Sequence, residues 1–214
     1  MKIAAFSDTH GYHNCLQIAE DTDLAICCGD YSITGGLSDA VDFIGWYKNQ
    51  PAKKKLLISG NTDFLAEKEP DLISEMCQQN DIIYLQNDLY VYNGIKIYGT
   101  PYTLNKSGAF GRSEQRLEAT YGKIPPDTDI LICHGPAKGI LDLCSRGRVG
   151  SVNLREQIDT IRPKVFLFGQ VHINGNTTLE YKFRKAPRVY TRCFNVSICN
   201  EDNKVANDVT YLDF

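Results

Sequence analysis

Three histidines, three carboxylates and an asparagine recur in five short motifs along the 214 residues. In chain order these are Asp8-Thr9-His10, Gly29-Asp30, Gly60-Asn61-Thr62-Asp63, His134-Gly135-Pro136 and Gly169-Gln170-Val171-His172. Carboxylate, imidazole and amide oxygen together suit divalent cations of hard or borderline character. Two such ions about 3.5–4 Å apart can neutralise a phosphate ester, activate water near neutral pH and hold both reacting oxygens. Asp8 and His10 stand two apart, and in extended backbone that spacing points both side chains the same way. Asp30 is short and anionic, as a bridging ligand must be. Asn61 can offer a carbonyl oxygen.

Each motif directly follows a short apolar run. Lys2–Ser7, Leu24–Cys28, Leu56–Ser59, Ile130–Cys133 and Val165–Phe168 read as buried strands. The ligand types therefore fall in loops at one end of a sheet. Between the strands, Cys15–Glu20 and Ser38–Asn49 read as helices, with Ser38 as N-cap and Val41, Ile44 and Trp46 as an apolar stripe. Further helices are expected over Asp71–Gln79, Ser113–Tyr121 and Ser151–Ile161. Ile82–Leu85, Leu89–Tyr92 and Ile95–Gly99 read as strands, and Asn93-Gly94 is a strong hairpin signal. The tail reads as strands over Arg188–Ile198 and Val209–Phe214. No linker, repeat or low-complexity segment interrupts the pattern, so a single domain over 1–214 is expected.

Composition narrows the class. Hydrophobic residues make up 43% and charged residues 23%, with a formal net charge of −3. That balance is of a globular protein and supplies no basic stripe for an extended nucleic-acid surface. The run Lys53-Lys54-Lys55 reads as a solvated strand entry. No stretch approaches the ~18 apolar residues of a membrane span. The first apolar run, Ile3–Phe6, is too short for a signal peptide. The eight cysteines lie mostly in apolar runs (Cys27, Cys28, Cys133, Cys193, Cys199) without a Cys-x-x-Cys pair. They read as buried, reduced thiols, and a cytoplasmic location is expected.

The order and spacing of the five motifs resemble the calcineurin-like metallophosphoesterase superfamily, and the likeness covers essentially the whole chain. Ser7-Asp8-Thr9-His10, Ile97-Tyr98-Gly99-Thr100-Pro101, Thr128-Asp129-Ile130-Leu131, His134-Gly135-Pro136, Arg148-Val149-Gly150 and Arg162-Pro163-Lys164 are similar to its small metallophosphoesterase-domain branch, a class III cyclic nucleotide phosphodiesterase type. The resemblance implies a four-layer αββα sandwich. It implies Asp8, His10, Asp30 and His172 on a first metal, with Asp30 bridging. Asn61, His134 and the Gln170 position fall to a second. Asp30, Asn61 and His134 are then the catalytic candidates, and Mn²⁺ is the expected ion, with Mg²⁺, Fe or Zn²⁺ as alternatives.

Two positions depart from the superfamily pattern. Thr62 stands where a histidine usually assists the leaving group, and a threonine hydroxyl is far too weak an acid for that task. Gln170 stands where a histidine usually binds the second metal, so weak second-site occupancy is expected. Asn61, Thr62, His13 and Arg148 are the candidate substrate contacts, with Arg146 beside them. His13 also reads as a plain polar loop residue. Tyr12, Tyr31, Phe64 and Tyr102 could stack a nucleobase or simply pack. The expected activity is hydrolysis of a small nucleotide phosphodiester, a 2′,3′- or 3′,5′-cyclic nucleotide, by in-line attack of metal-bound hydroxide. A low-activity nucleotide-binding or scaffold protein is the alternative. A monoesterase is disfavoured because loss of the acid hurts alkyl monoesters most.

Overall fold

The computed structural model describes residues 1–214 apart from Lys106 and Lys185. The first half alternates strand and helix: β1 (Lys2–Phe6), β2 (Leu24–Cys27), α1 (Leu37–Tyr47), β3 (Lys54–Leu57), α2 (Phe64–Lys68), α3 (Pro70–Gln78) and β4 (Ile82–Tyr84). A hairpin follows, β5 (Asp88–Tyr92) and β6 (Ile95–Thr100), then the short β7 (Thr103–Leu104) and β8 (Gly111–Arg112) and helix α4 (Glu114–Tyr121). Next come β9 (Ile130–Cys133), a small hairpin of β10 (Leu143–Cys144) and β11 (Gly147–Arg148), α5 (Val152–Ile161) and β12 (Val165–Phe168). The chain ends in β13 (Thr177–Phe183), β14 (Ala186–Asn195) and β15 (Thr210–Asp213).

Two sheets result, ordered β15-β1-β2-β3-β4 and β13-β14-β12-β9-β6-β5. The inner strands β1, β2, β9 and β12 pair in parallel and are buried on both faces, which explains their almost continuously apolar sequences. Alternation along each strand builds the layers. Ile3, Ala5, Leu24, Ile26 and Leu56 face Ile130, Ile132, Val165 and Leu167 of the other sheet. Ala4, Phe6, Ala25, Cys27 and Leu57 face the opposite way, against Phe43 and Tyr47 of α1 and Ile73 of α3. Leu131, Cys133, Phe166 and Phe168 likewise face Leu117 of α4 and Leu154 and Ile158 of α5. The result is the expected four-layer αββα sandwich.

The Asn93-Gly94 turn has positive φ at both residues, 51° and 80°, the geometry that matches strand twist in a two-residue hairpin. Ser151 caps α5 by accepting the Leu154 N–H at 3.2 Å. All eight cysteines are free, and the five in apolar runs are buried.

Several local expectations are corrected. Residues 12–15 form one 3₁₀ turn and the chain is extended at Leu16, so no helix spans Cys15–Glu20. There Leu16 and Ile18 bury alternately, a period that suits extended chain. Ser38 does not cap α1: the helix starts at Leu37 after Gly36, so Ser38 lies in its first turn, and Asp39 reaches back to accept the Thr34 and Gly35 N–H groups at 2.6 and 2.9 Å. Val41 is exposed, and the buried stripe is Ala40, Phe43, Ile44 and Tyr47. β13 was not expected; its seven residues alternate in burial and pair antiparallel with β14.

Candidate metal centre

The loops after β1, β2, β3, β9 and β12 meet at one end of the sandwich. The turns that deliver these side chains are tight. Asp8, His10, Asp30 and Gln170 all adopt left-handed backbone, with φ of 54°, 42°, 54° and 66°. Non-glycine residues seldom hold that conformation, and it concentrates where surrounding structure forces side chains inward. Gly60 has no Cβ because one would run into the Asp30 carboxylate and the His134 ring, at 2.5–2.6 Å from the latter. Asp63 braces the same turns: its buried carboxylate accepts N–H groups from Asp30 at 2.9 Å, Gly60 at 2.7 Å and Ser32 at 3.1 Å. This tie between the loops after β2 and β3 is a tertiary fact that no local sequence signal carries. Burial and the Asp30 charge push its pKa up to about 7, against the pull of those N–H groups.

Two groups of donors converge. Asp8, His10 and His172 place one ligand atom each within 4.8 Å of one another, and so do Asp8, Asp30 and His134. The histidines are oriented from behind. His172 Nδ1 lies 2.9 Å from the Asn200 carbonyl, His134 Nδ1 2.9 Å from the Cys28 carbonyl and His10 Nδ1 3.4 Å from the Ser32 carbonyl. Those carbonyls can only accept, so each Nδ1 carries a proton and each Nε2 is the atom left for a metal ion or, without one, a second proton. The Nε2 atoms then face other acceptor atoms. His172 Nε2 lies 3.4 Å from His10 Nε2 and 3.3 Å from Asp8 Oδ1. His134 Nε2 lies 3.1 Å from Asn61 Oδ1 and 3.4 Å from Asp30 Oδ1. Such arrays repel unless positive charge lies among them, so both fit a cation.

Protonation behaviour reflects the same field. Burial works against a charged His134, but the adjacent Asp30 carboxylate outweighs it and pushes the ring up to about 10. Burial likewise opposes a charged His172, and Asp8 overcomes it to push that ring up to about 9. Burial would raise Asp8; the His172 hydrogen bond and three nearby rings hold it well below the usual carboxylate range. Gln170 N and the Ser197 hydroxyl also donate to Asp8 Oδ2, at 2.9 and 2.7 Å.

Gln170 sits at the second group but does not offer it an oxygen. Its Oε1 accepts from the Thr103 hydroxyl at 2.8 Å, and its Nε2 donates to Asn61 Oδ1 at 2.9 Å. The expected ligand role is corrected to this extent: the Gln170 carbonyl is turned away by a buried hydroxyl from a distant strand. Thr62 donates its N–H to Asp30 Oδ1 at 2.8 Å, and its hydroxyl reaches the Ser32 carbonyl at 3.3 Å.

A cleft of about 780 Å³ opens over these residues. His10, Asp30, Asn61, Thr62, Gln170 and His172 line it, and so do Arg146 and Arg148. His13 does not. Its ring is buried against Phe43 and Trp46 at 5.4 and 5.3 Å, with Nε2 3.2 Å from Asp42. The expected substrate contact at His13 is thereby corrected: the 3₁₀ turn after His10 points it into the helix layer. Tyr31 stacks on Phe43 in the core, and Tyr12, Phe64 and Tyr102 also lie outside the cleft lining.

The sequence profile of calcineurin-like phosphoesterase matches residues 1–173. The chain belongs to the calcineurin-like phosphoesterase family. It is 30% identical to metallophosphoesterase domain-containing protein 1 of Homo sapiens, over 99% of this chain and 70% of that protein. It is also 30% identical to the probable rhamnogalacturonate lyase C of Emericella nidulans, over 80% of this chain but only 17% of that much longer protein. The phosphopantetheinyl hydrolase of Mycobacterium tuberculosis shares the fold, with a TM-score of 0.61 at 13% identity, covering 94% and 90% of the two chains. As a calcineurin-like phosphoesterase the chain is a divalent-metal-dependent hydrolase of phosphoester bonds. Among the described residues no helix is long and apolar enough to cross a membrane.

Proposed function

We propose that this phosphoesterase is a nucleotide phosphodiesterase, acting on a 2′,3′- or 3′,5′-cyclic nucleotide. The observation that carries the reading is the cleft: the two ligand groups open into a space of about 780 Å³ also lined by Arg146, Arg148, Asn105 and Asn203. Such a wall has donors and acceptors enough for a sugar and base beyond the phosphate. A diester phosphate carries one negative charge where a monoester carries up to two. A site whose second ion is held weakly offers less positive charge and is better matched to the smaller anion.

Asp8, His10, Asp30 and His172 would hold one ion, and Asp30, Asn61 and His134 a second, weaker one. Mn²⁺ suits this mixed nitrogen and oxygen set, with Mg²⁺, Fe and Zn²⁺ as alternatives. Bound divalent ions would neutralise the phosphate and lower the pKa of a water for in-line attack. The chain supplies the rest. Asp30 is held for bridging by the Thr62 N–H. Asn61 and the Thr62 side chain border the phosphate position, and Arg148 meets the anion from the cleft wall. The leaving oxygen finds no strong acid at Thr62, so esters with good leaving groups are favoured. A free nucleotide rather than a nucleic-acid duplex is the expected partner, and the cytoplasm the expected location.

Assay of bis-aryl and mono-aryl phosphates with Mn²⁺, alongside a panel of cyclic nucleotides, tests this. Metal-dependent turnover of diesters over monoesters is expected, lost in Asp30→Ala. No metal-dependent turnover of any diester, with Asp30→Ala indistinguishable from wild type, sinks it. A second reading, a nucleotide-binding protein with little turnover, is favoured by the Gln170 amide already seated on Asn61. Calorimetry separates the two: tight mononucleotide binding with negligible hydrolysis supports the second.

A further inference from the structure

Arg148 reaches the cleft from the β10–β11 hairpin, and its attachment is unusual for a surface arginine. Its side chain is 58% exposed, yet Nη1 is bonded to Asp142, whose side chain is fully buried. Among the described residues the other Asp142 oxygen, Oδ2, has no partner at all. A buried carboxylate with one cationic neighbour is costly to maintain unless that neighbour is fixed in place. The backbone holds the two residues at the base of the same hairpin: Val149 N–H donates to the Asp142 carbonyl at 3.0 Å, and Leu143 pairs with Arg148. The tip is tied separately, where Ser145 Oγ donates to Glu201 at 2.7 Å. One edge of the guanidinium is thus committed to protein, and among the described residues its remaining N–H groups meet no acceptor, which leaves them for an anion in the cleft.

We infer that Asp142 is a positioning residue for substrate binding: it fixes the Arg148 guanidinium so that its free edge meets an anionic oxygen of the phosphodiester. The inference rests on the nucleotide phosphodiesterase reading of the cleft. It assigns Asp142 no contact with substrate and no part in bond breaking. Asp142 acts by reducing the rotamer freedom that an exposed arginine would otherwise lose on binding.

The test is a double-mutant cycle of Asp142→Asn and Arg148→Met, read on KM and kcat for a cyclic nucleotide and on calorimetric binding of AMP in Mn²⁺. Asp142→Asn should raise KM and the AMP dissociation constant by about ten-fold with kcat nearly unchanged. Arg148→Met should do at least as much. In the Arg148→Met background, Asp142→Asn should add nothing further, because the group it positions is gone. Arg148→Lys should not restore wild-type KM, since a point charge cannot bond carboxylate and phosphate along two edges. Additive effects in the cycle, or an Asp142→Asn loss confined to kcat, overturn the inference while leaving the diesterase reading intact. Absence of turnover and of nucleotide binding in the wild type overturns both.

Discussion

The Thr103 hydroxyl donates to the side-chain carbonyl of Gln170 at 2.8 Å, and the Gln170 amide nitrogen thereby faces Asn61 Oδ1 at 2.9 Å. A hydrogen-bond donor stands where a second cation would need a lone pair. The Asn61 oxygen also faces His134 Nε2 at 3.1 Å, so the second group is partly satisfied by protein.

Replacing the amide by an imidazole should reverse this. Gln170→His is expected to tighten the second Mn²⁺ by about ten-fold or more, on the scale at which ligand environments act. Counting bound Mn²⁺ by the electron paramagnetic resonance of the free ion measures it. Unchanged stoichiometry and affinity would show that position 170 does not border the second ion.

Ser197 supports Asp8 from behind, with its hydroxyl 2.7 Å from Oδ2. Ser197→Ala leaves a buried carboxylate oxygen short of a donor. Outer partners of metal ligands typically matter by about 10- to 100-fold in metal affinity. A drop of that size in Mn²⁺ affinity is expected, with the fold intact by circular dichroism. Wild-type affinity in the variant would refute the role.

Asp63 gathers three backbone N–H groups from the Asp30, Ser32 and Gly60 turns. In Asp63→Asn one of the two oxygens becomes an N–H₂ group that cannot accept. One buried donor then goes unpaired, at a cost of about 2 kcal/mol. Urea unfolding of the metal-free protein should show the lower midpoint at unchanged slope. An unaltered midpoint would mean that the loops hold their shape without this brace.

His13 makes a contrasting prediction. His13→Phe should leave kcat and KM within about two-fold, because ring packing conserves volume and the residue does not line the cleft. Burial holds the His13 pKa below its ordinary 6.5, despite the neighbouring Asp42. The unfolded chain therefore binds more protons than the folded one at mildly acid pH, so stability is full above about 6.5 and declines as pH falls through the folded value. His13→Phe should flatten that decline in thermal melts between pH 7 and 5. A large loss of turnover in this variant would return His13 to the site.

The strand ends and the ligand types were legible because each motif is local. An apolar run that stops at Asp8, Asp30, Asn61, His134 or His172 announces both a buried strand and the residue it delivers. The Asn93-Gly94 turn was legible for the same reason, since two adjacent residues carry its backbone requirement. β13 was not, although Thr177–Phe183 alternates in burial, because its polar face dilutes the apolar signal. Ser38 failed as a cap because the helix begins one residue before it, at Leu37 after Gly36.

The sequence by itself determined which donors exist and that five loops could present them together. Tertiary structure alone decided how those donors are turned. The Gln170 amide is oriented by Thr103, 67 residues away, and Asp63 ties a loop 31 to 33 residues distant. His13 is swept into the core by a single 3₁₀ turn, three residues after His10. Ligand identity is a property of side-chain type. Ligand orientation depends on hydrogen-bond partners that only the packed chain brings within about 3 Å.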